Sequence, residues 1–296
     1  MRSNQKRVLY LLCLIAPLSL IALTLAEDCI GVKTEVSVFT SKFQGIAENS
    51  PLKAQYLPAS LDGANLLLSS PFQYIVHTPI SINGDADFLA QAAAEGWAGT
   101  GTAQDPIMIT NYNISSSTTQ IDIRNTQLKF QIRTNFLAGV TQTDIITYAI
   151  SLENVTGGMI TDNILINNYI GIRVISTQGI IGQWTNILVN NIITNNDQGI
   201  WIESVNSINM ENNTIRDANS GISLRNSHFN ALVNNVLLDN QVGTYFKEVK
   251  NSFVSHNRFY NNDLGMRMHV SAFNNPVQEN DFIGNSLSVL TSQVVD

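Results

Sequence analysis

The chain has 296 residues, 44% of them hydrophobic, with 16 Lys+Arg against 23 Asp+Glu and a formal net charge of −7. An acidic surface argues against nucleic acid and anionic membranes as main partners, and the composition is that of a folded chain. The two cysteines, Cys13 and Cys29, give no disulfide framework.

Arg2, Lys6 and Arg7 precede an uncharged apolar run over residues 8–26. Thr24 and Ala26 are small at the cleavage offsets, and Glu27 and Asp28 follow. This reads as a secretory signal peptide over residues 1–26; the run is close to a membrane span in length, so an uncleaved N-terminal anchor is the alternative. Either way the body is expected to be exported, extracellular or at the cell surface, meeting a membrane only through residues 8–26. Removing residues 1–26 would leave 13 Lys+Arg against 23 Asp+Glu, a formal charge of −10, with Cys29 a single thiol near the new N-terminus.

Residues 27–76 read as a lead-in, with strand-like runs at 36–40 and 64–68 broken by Pro51, Pro58 and Pro71. Residues 77–148 are expected to hold a capping helix and the first irregular rungs. The helix is predicted over Asp85–Glu95, with Asp85 and Asp87 as cap and first-turn charge, Phe88, Leu89 and Ala92 as apolar stripe, and Gly96 as stop. Trp97 is expected to pack at that cap. Gly99-Thr100-Gly101-Thr102 looks like a phosphate loop only superficially, because no Gly-Lys-Ser/Thr follows.

Residues 149–275 repeat. Gly171, Gly199, Gly221, Gly243 and Gly265 each open an apolar pair at positions +1 and +3, and Ala149 begins one more copy. The spacings are 22, 28, 22, 22 and 22 residues, a single period with one six-residue insertion near residues 176–186, where Trp184 lies. Positions −6 and +11 are apolar as well, so each period holds three short inward-facing strands. Self-similarity of this kind means a solenoid. The fold class is therefore all-β: a right-handed, single-stranded parallel β-helix of 22-residue rungs, closed by a terminal rung and cap over residues 276–296. Asn163, Asn191, Asn213, Asn235 and Asn257, eight residues before each glycine, are expected to form a structural ladder at a left-handed turn.

The run Asn191-Ile192-Ile193-Thr194-Asn195-Asn196-Asp197-Gln198-Gly199-Ile200 resembles the NosD-type β-helix family of exported, pectin-lyase-like proteins. The lead-in from Gly96-Trp97 to Asp105-Pro106-Ile107 supports it, and the resemblance spans roughly residues 77–290. It implies the fold strongly and an activity weakly, since one fold hosts lyases, hydrolases, epimerases, adhesins and maturation factors. The family name brings in copper, and Met266-Arg267-Met268-His269 has soft donors. Met266 and Met268 fall on inward stations, however, and His77, His228 and His256 show no metal spacing, so no metal site is expected. Calcium would enter only through related lyases that cluster Asp on one sheet, which this sequence does not.

With +1 and +3 inward, +2 and +4 face out. Column +2 reads Ser151, Arg173, Trp201, Ser223, Tyr245, Arg267; column +4 reads Glu153, Ile175, Glu203, Arg225, Lys247, His269. Trp and Tyr offer planar faces for sugar rings, and Arg, Lys and Glu bond hydroxyls or carboxylates. The expected ligand-binding set is Arg173, Trp201, Glu203, Arg225, Tyr245, Lys247, Arg267 and His269. Glu153 and Glu203 lie two rungs apart, about 10 Å, near the upper end for an inverting carboxylate pair. The polygalacturonase-like signatures and the epimerase Asp-Pro-His-Asp are missing, because Ile107 follows Asp105-Pro106. The leading expectation is a non-catalytic, cofactor-free β-helix that binds a polysaccharide or surface glycan, with cell-envelope proteins as further partners. The alternatives are a polysaccharide lyase or glycoside hydrolase and a structural or adhesive protein. Asn113, Asn154 and Asn212 begin glycosylation sequons.

Overall fold

Apolar residues alternate with polar ones over three to six positions and are then cut off by Asn, Asp, Ser or Gly. Segments that short make strands rather than helices. The computed structural model describes residues 74–139, 146–177, 183–269 and 271–291. Within that span are three all-parallel sheets of nine, nine and eight strands. One turn of the coil takes a strand from each: Ile187–Val189 in the third sheet, Ile192–Thr194 in the first, Gln198–Glu203 in the second. Every strand pairs with the strand one turn further on, which makes the fold a right-handed parallel β-helix.

The register stacks like on like. In the second sheet Ile150, Ile172, Ile200, Ile222, Thr244 and Met266 form one inward column, and Leu152, Val174, Ile202, Leu224, Phe246 and Met268 the other. Leu165, Ile193, Ile215, Leu237 and Phe259 supply the first sheet's column; Ile160, Leu188, Met210, Leu232 and Val254 supply the third. All but Met268 are fully buried, and these columns meet in one core. Each large apolar side chain buried there contributes roughly 1.5–3 kcal/mol. Thr244 breaks the pattern, since its buried hydroxyl has no hydrogen-bond partner.

The glycine column answers to a close approach rather than to backbone strain. A Cβ on Gly199 would stand 2.4 Å from Ile215 and 2.5 Å from the Gly221 carbonyl oxygen. The six extra residues before Gly199 leave the Ile172–Ile200 pairing intact, so the insertion is carried at a corner; residues 178–182 of it lie outside the described span.

The asparagine ladder runs from Asn135 through Asn163, Asn191, Asn213, Asn235 and Asn257 to Asn280. Each backbone N–H donates to the next Oδ1. Each Nδ2 donates onward to that oxygen and back to a strand carbonyl, as from Asn191 to Asn213 and Ile160 at 2.9 Å. The expected left-handed turn belongs to other residues. The residue before each ladder member takes it (Thr134, Asp162, Asn190, Asn212, Asn234, His256 and Glu279, φ 54–57°), as do Asn167, Asn195, Asp217, Asp239 and Asn261. Being buried and being left-handed are thus divided between consecutive residues. A second ladder, three residues before each glycine, joins Asn168 to Asn196 and Asn240 through Asn262 to Asn285, with Ala218 as its gap.

The capping helix spans Asp85–Glu95 and ends at left-handed Gly96 (φ 70°). Asp85 does not cap it. The N-cap is Gly84, and Asp85 instead accepts from Thr126 Oγ1 at 2.6 Å and Gln127 N–H at 3.1 Å, tying the helix to the rung below. Asp87 accepts from the Asn83 N–H. Phe88 and Ala92 are buried, but Leu89 is exposed, so the apolar stripe is narrower than expected. Trp97 packs edge-on against Phe88 and donates to Tyr112 Oη at 2.8 Å. The first rung begins at Ile75–Val76, inside the expected lead-in. At the other end Val277–Gln278, Asp281–Ile283 and Leu287–Thr291 form a terminal rung with Ile283, Leu287 and Val289 exposed. Residues 1–73, on which the expected signal peptide, Cys13 and Cys29 fall, lie outside the described span, as do 292–296.

Candidate functional site

Strand alternation dictates which side chains leave the solenoid. On the second sheet the paired register places Asp122, Ser151, Arg173, Trp201, Ser223, Tyr245 and Arg267 in one outward column. Arg124, Glu153, Ile175, Glu203, Arg225 and Lys247 form the other. The structure therefore brings together every expected ligand-binding residue but one. His269 lies just past the strand, with its N–H bonded to the Phe246 carbonyl and its ring half-buried. Asp122 and Arg124 escaped the sequence reading because the first rungs break the 22-residue period. The inward pair Ile121/Ile123 was the signal for them, since the residue between and the one after must point out.

The face divides into two halves. Over strands Ile121–Thr126, Tyr148–Val155 and Ile170–Ile175, charges are matched within the protein. Arg124 pairs with Asp122 at 2.8 Å and lies 4.0 Å from Glu153; Arg173 lies 3.9 Å from the same Glu153 oxygen. The hydrogen bond that Arg124 donates to Asp122, then the charge of that carboxylate, raises the Arg124 guanidinium above its ordinary range. Arg173 also donates to Ser151 Oγ at 3.1 Å and stacks over the Tyr148 ring at 5.0 Å.

Over strands Gln198–Glu203, Ser220–Arg225, Val242–Lys247 and Leu264–Met268 the arrangement changes. Arg225 stands 4.3 Å over the Trp201 ring and 5.6 Å over Tyr245, and Arg267 approaches Tyr245 at 5.6 Å. Trp201 Nε1 donates to Glu203 at 3.2 Å. Among the described residues no carboxylate lies within 4.0 Å of the charged nitrogens of Arg225, Lys247 or Arg267, and the buried Arg225 Nε has no acceptor.

Glu153 and Glu203 are separated in register by Ile175, so an apolar side chain fills the rung between them. One carboxylate sits between two arginines and the other takes an indole N–H.

A second feature is a groove of about 520 Å³ at the corner before the second sheet, lined by Asp197, Asp217, Asp239 and Asp263 with neighbouring amides. Asp217 pairs with Arg216 at 2.7 Å, and Asp197 accepts from Asn219. Among the described residues no three His, Cys, Asp or Glu side chains converge as a metal site.

Fold and face together define a right-handed parallel β-helix with a decorated strand face. The chain belongs to the family described as periplasmic copper-binding protein (NosD), whose match covers residues 80–295. No curated protein matches the chain. Among solved structures it is similar to the A-module of the Azotobacter vinelandii mannuronan C-5 epimerase AlgE4, at 11% identity over 64% of this chain and 78% of that one, TM-score 0.32. It is also similar to a mutant of the periplasmic alginate epimerase AlgG, at 14% identity over 75% and 74%, TM-score 0.34.

Copper does not fit the donors that the described residues offer. Met266 is sealed in the core and Met268 packs against it, while the half-buried His269 lies just past the end of their strand. His77 packs at a tilt against Tyr112 near the cap, His256 pairs with Glu279 at 2.8 Å, and His228 lies at a different corner, so no soft donor set assembles among the described residues. No helix among the described residues is long and apolar enough to cross a membrane.

Proposed function

We propose that this chain is an exported, non-catalytic β-helix that binds a carbohydrate polymer of the cell surface or envelope. Its binding surface is the outer face of the second sheet from Trp201 to Arg267. The carrying observation is that two large aromatics, Trp201 and Tyr245, are held half-buried on an outward face beside cations with no carboxylate partner. Such side chains are costly on a flat solvent face unless something docks there. The family's description as periplasmic agrees with export, which residues 1–26 would direct. A lyase or hydrolase is less well supported, because Glu153 and Glu203 are separated by Ile175. A purely structural role leaves the cations gathered beside the aromatic pair without a purpose.

Affinity electrophoresis of the full chain through gels containing neutral and acidic polysaccharides tests this. Retardation by at least one polymer is expected, lost in the Trp201→Ala/Tyr245→Ala variant while circular dichroism stays unchanged. Free migration through every gel would overturn the reading.

A further inference from the structure

We infer that the element this face recognises is an anionic group on the glycan, a carboxylate or a sulfate, and that Trp201 and Tyr245 position guanidinium groups instead of stacking on sugar rings. The inference rests on the carbohydrate reading above and deepens it. It begins from what already occupies the aromatics. The Arg225 guanidinium lies 4.3 Å from the Trp201 ring centre, and Tyr245 is approached at 5.6 Å by both Arg225 and Arg267. A sugar ring could stack there only by displacing a cation held by the ring quadrupole. A guanidinium stacked by its face keeps its N–H edge for a planar or trigonal oxyanion, which it grips with two parallel hydrogen bonds.

The charge pattern points the same way. Arg225 and Lys247 are directly opposite on neighbouring strands, an arrangement that is unfavourable in an isolated sheet. Arg267 follows on the next strand, beside Tyr245. These three cations collect within three rungs of a protein with 23 acidic residues, yet none has a carboxylate within 4.0 Å among the described residues. The nearest acid in register, Glu203, faces Arg225 but takes the indole N–H of Trp201. In the other half of the same face Asp122 and Glu153 neutralise Arg124 and Arg173. Three cations without a carboxylate partner are thus stacked on neighbouring strands of one face, where an oxyanion would relieve the repulsion between them. From the Arg225 strand to the Arg267 strand is two rungs, about 10 Å, the reach of two linked sugar rings lying along the solenoid axis.

The test uses the full chain and five probes in affinity gels: polygalacturonate, its fully methyl-esterified form, dextran sulfate, carboxymethyl dextran and plain dextran. The expected result is retardation at least tenfold stronger in a charged polymer than in its uncharged counterpart, falling steeply as NaCl is raised from about 50 mM. Preference for carboxymethyl dextran or polygalacturonate identifies a carboxylate ligand; preference for dextran sulfate identifies a sulfate. Arg225→Gln/Lys247→Gln should weaken binding at least tenfold. Trp201→Phe, which keeps a ring beneath Arg225, should hold most of it, and Arg225→Lys should fall between. Equal retardation by charged and uncharged polymers would overturn this inference and leave the carbohydrate reading standing. So would full binding by a folded Arg225→Gln/Lys247→Gln protein. Free migration in every gel, neutral polymers included, is the failure of the carbohydrate reading itself.

Discussion

The two halves of the second sheet's outer face share one register and one core beneath them, and differ in where their carboxylates fall and in the aromatic rings beside their cations. In the N-terminal half Glu153 lies between Arg124 and Arg173. In the C-terminal half the equivalent acid, Glu203, is turned to Trp201, and Arg225 is held by aromatic rings. Identical rungs can therefore carry a self-neutralised surface and an unsatisfied one side by side. In a solenoid, +1 and +3 set the fold and +2 and +4 set the surface, with little interference between them.

If the interior is uniform under both halves, cutting the ladder should cost the same beneath either. Asn163→Ala and Asn213→Ala are each expected to destabilise by roughly 2–4 kcal/mol, because each strands a buried N–H and a strand carbonyl. Urea denaturation checks this, and a difference above about 1.5 kcal/mol would show that the halves differ inside as well. Glu153→Gln should then make the first half resemble the second. Releasing Arg124 and Arg173 is expected to raise affinity for an acidic polymer by roughly three- to tenfold, read as a shift in gel retardation. No gain would mean that the outward cations do not act as one surface.

Thr244→Val should stabilise the C-terminal half by about 1 kcal/mol, since it removes a buried hydroxyl without a partner at little change in volume; calorimetry would show a raised Tm. The smallest effect concerns pH. Burial, then the charge of Lys250, holds the His228 imidazole below its ordinary range. A depressed folded-state value contributes stability that is present above the unfolded pKa, about 6.5, and is lost as pH falls through the folded one. His228→Gln should flatten stability below pH about 6.5 and leave it unchanged above. An unaltered acid slope would place the loss elsewhere.

How much of this was legible depended on whether one residue type had to recur. Asn191, Asn213 and Gly199 are fixed by hydrogen bonds and close backbone contact repeated at every turn, so the period could be read directly. The second ladder was hidden because Ala218 interrupts it and because Asn168 and Asn196 follow Asn167 and Asn195, whose role is to turn left-handed. The outward columns were legible as positions, down to Trp201 and Arg225. Their pairing was not: whether Glu203 reaches for Arg225 or for the Trp201 indole depends on side-chain rotamers that no spacing encodes. The approach of Arg225 to both Trp201 and Tyr245 was hidden for the same reason.

The six extra residues before Gly199 have a consequence for how such a molecule can change. They leave the strands above and below in register, so length variation at a corner is silent on the face. Duplication of a whole 22-residue unit should be equally silent in the core, because each new Asn finds the same partners above and below. It would move every outward side chain beyond it along the axis by one strand spacing, about 4.8 Å. The solenoid is in this sense a ruler whose marks can be re-spaced by recombination without re-cutting the stick.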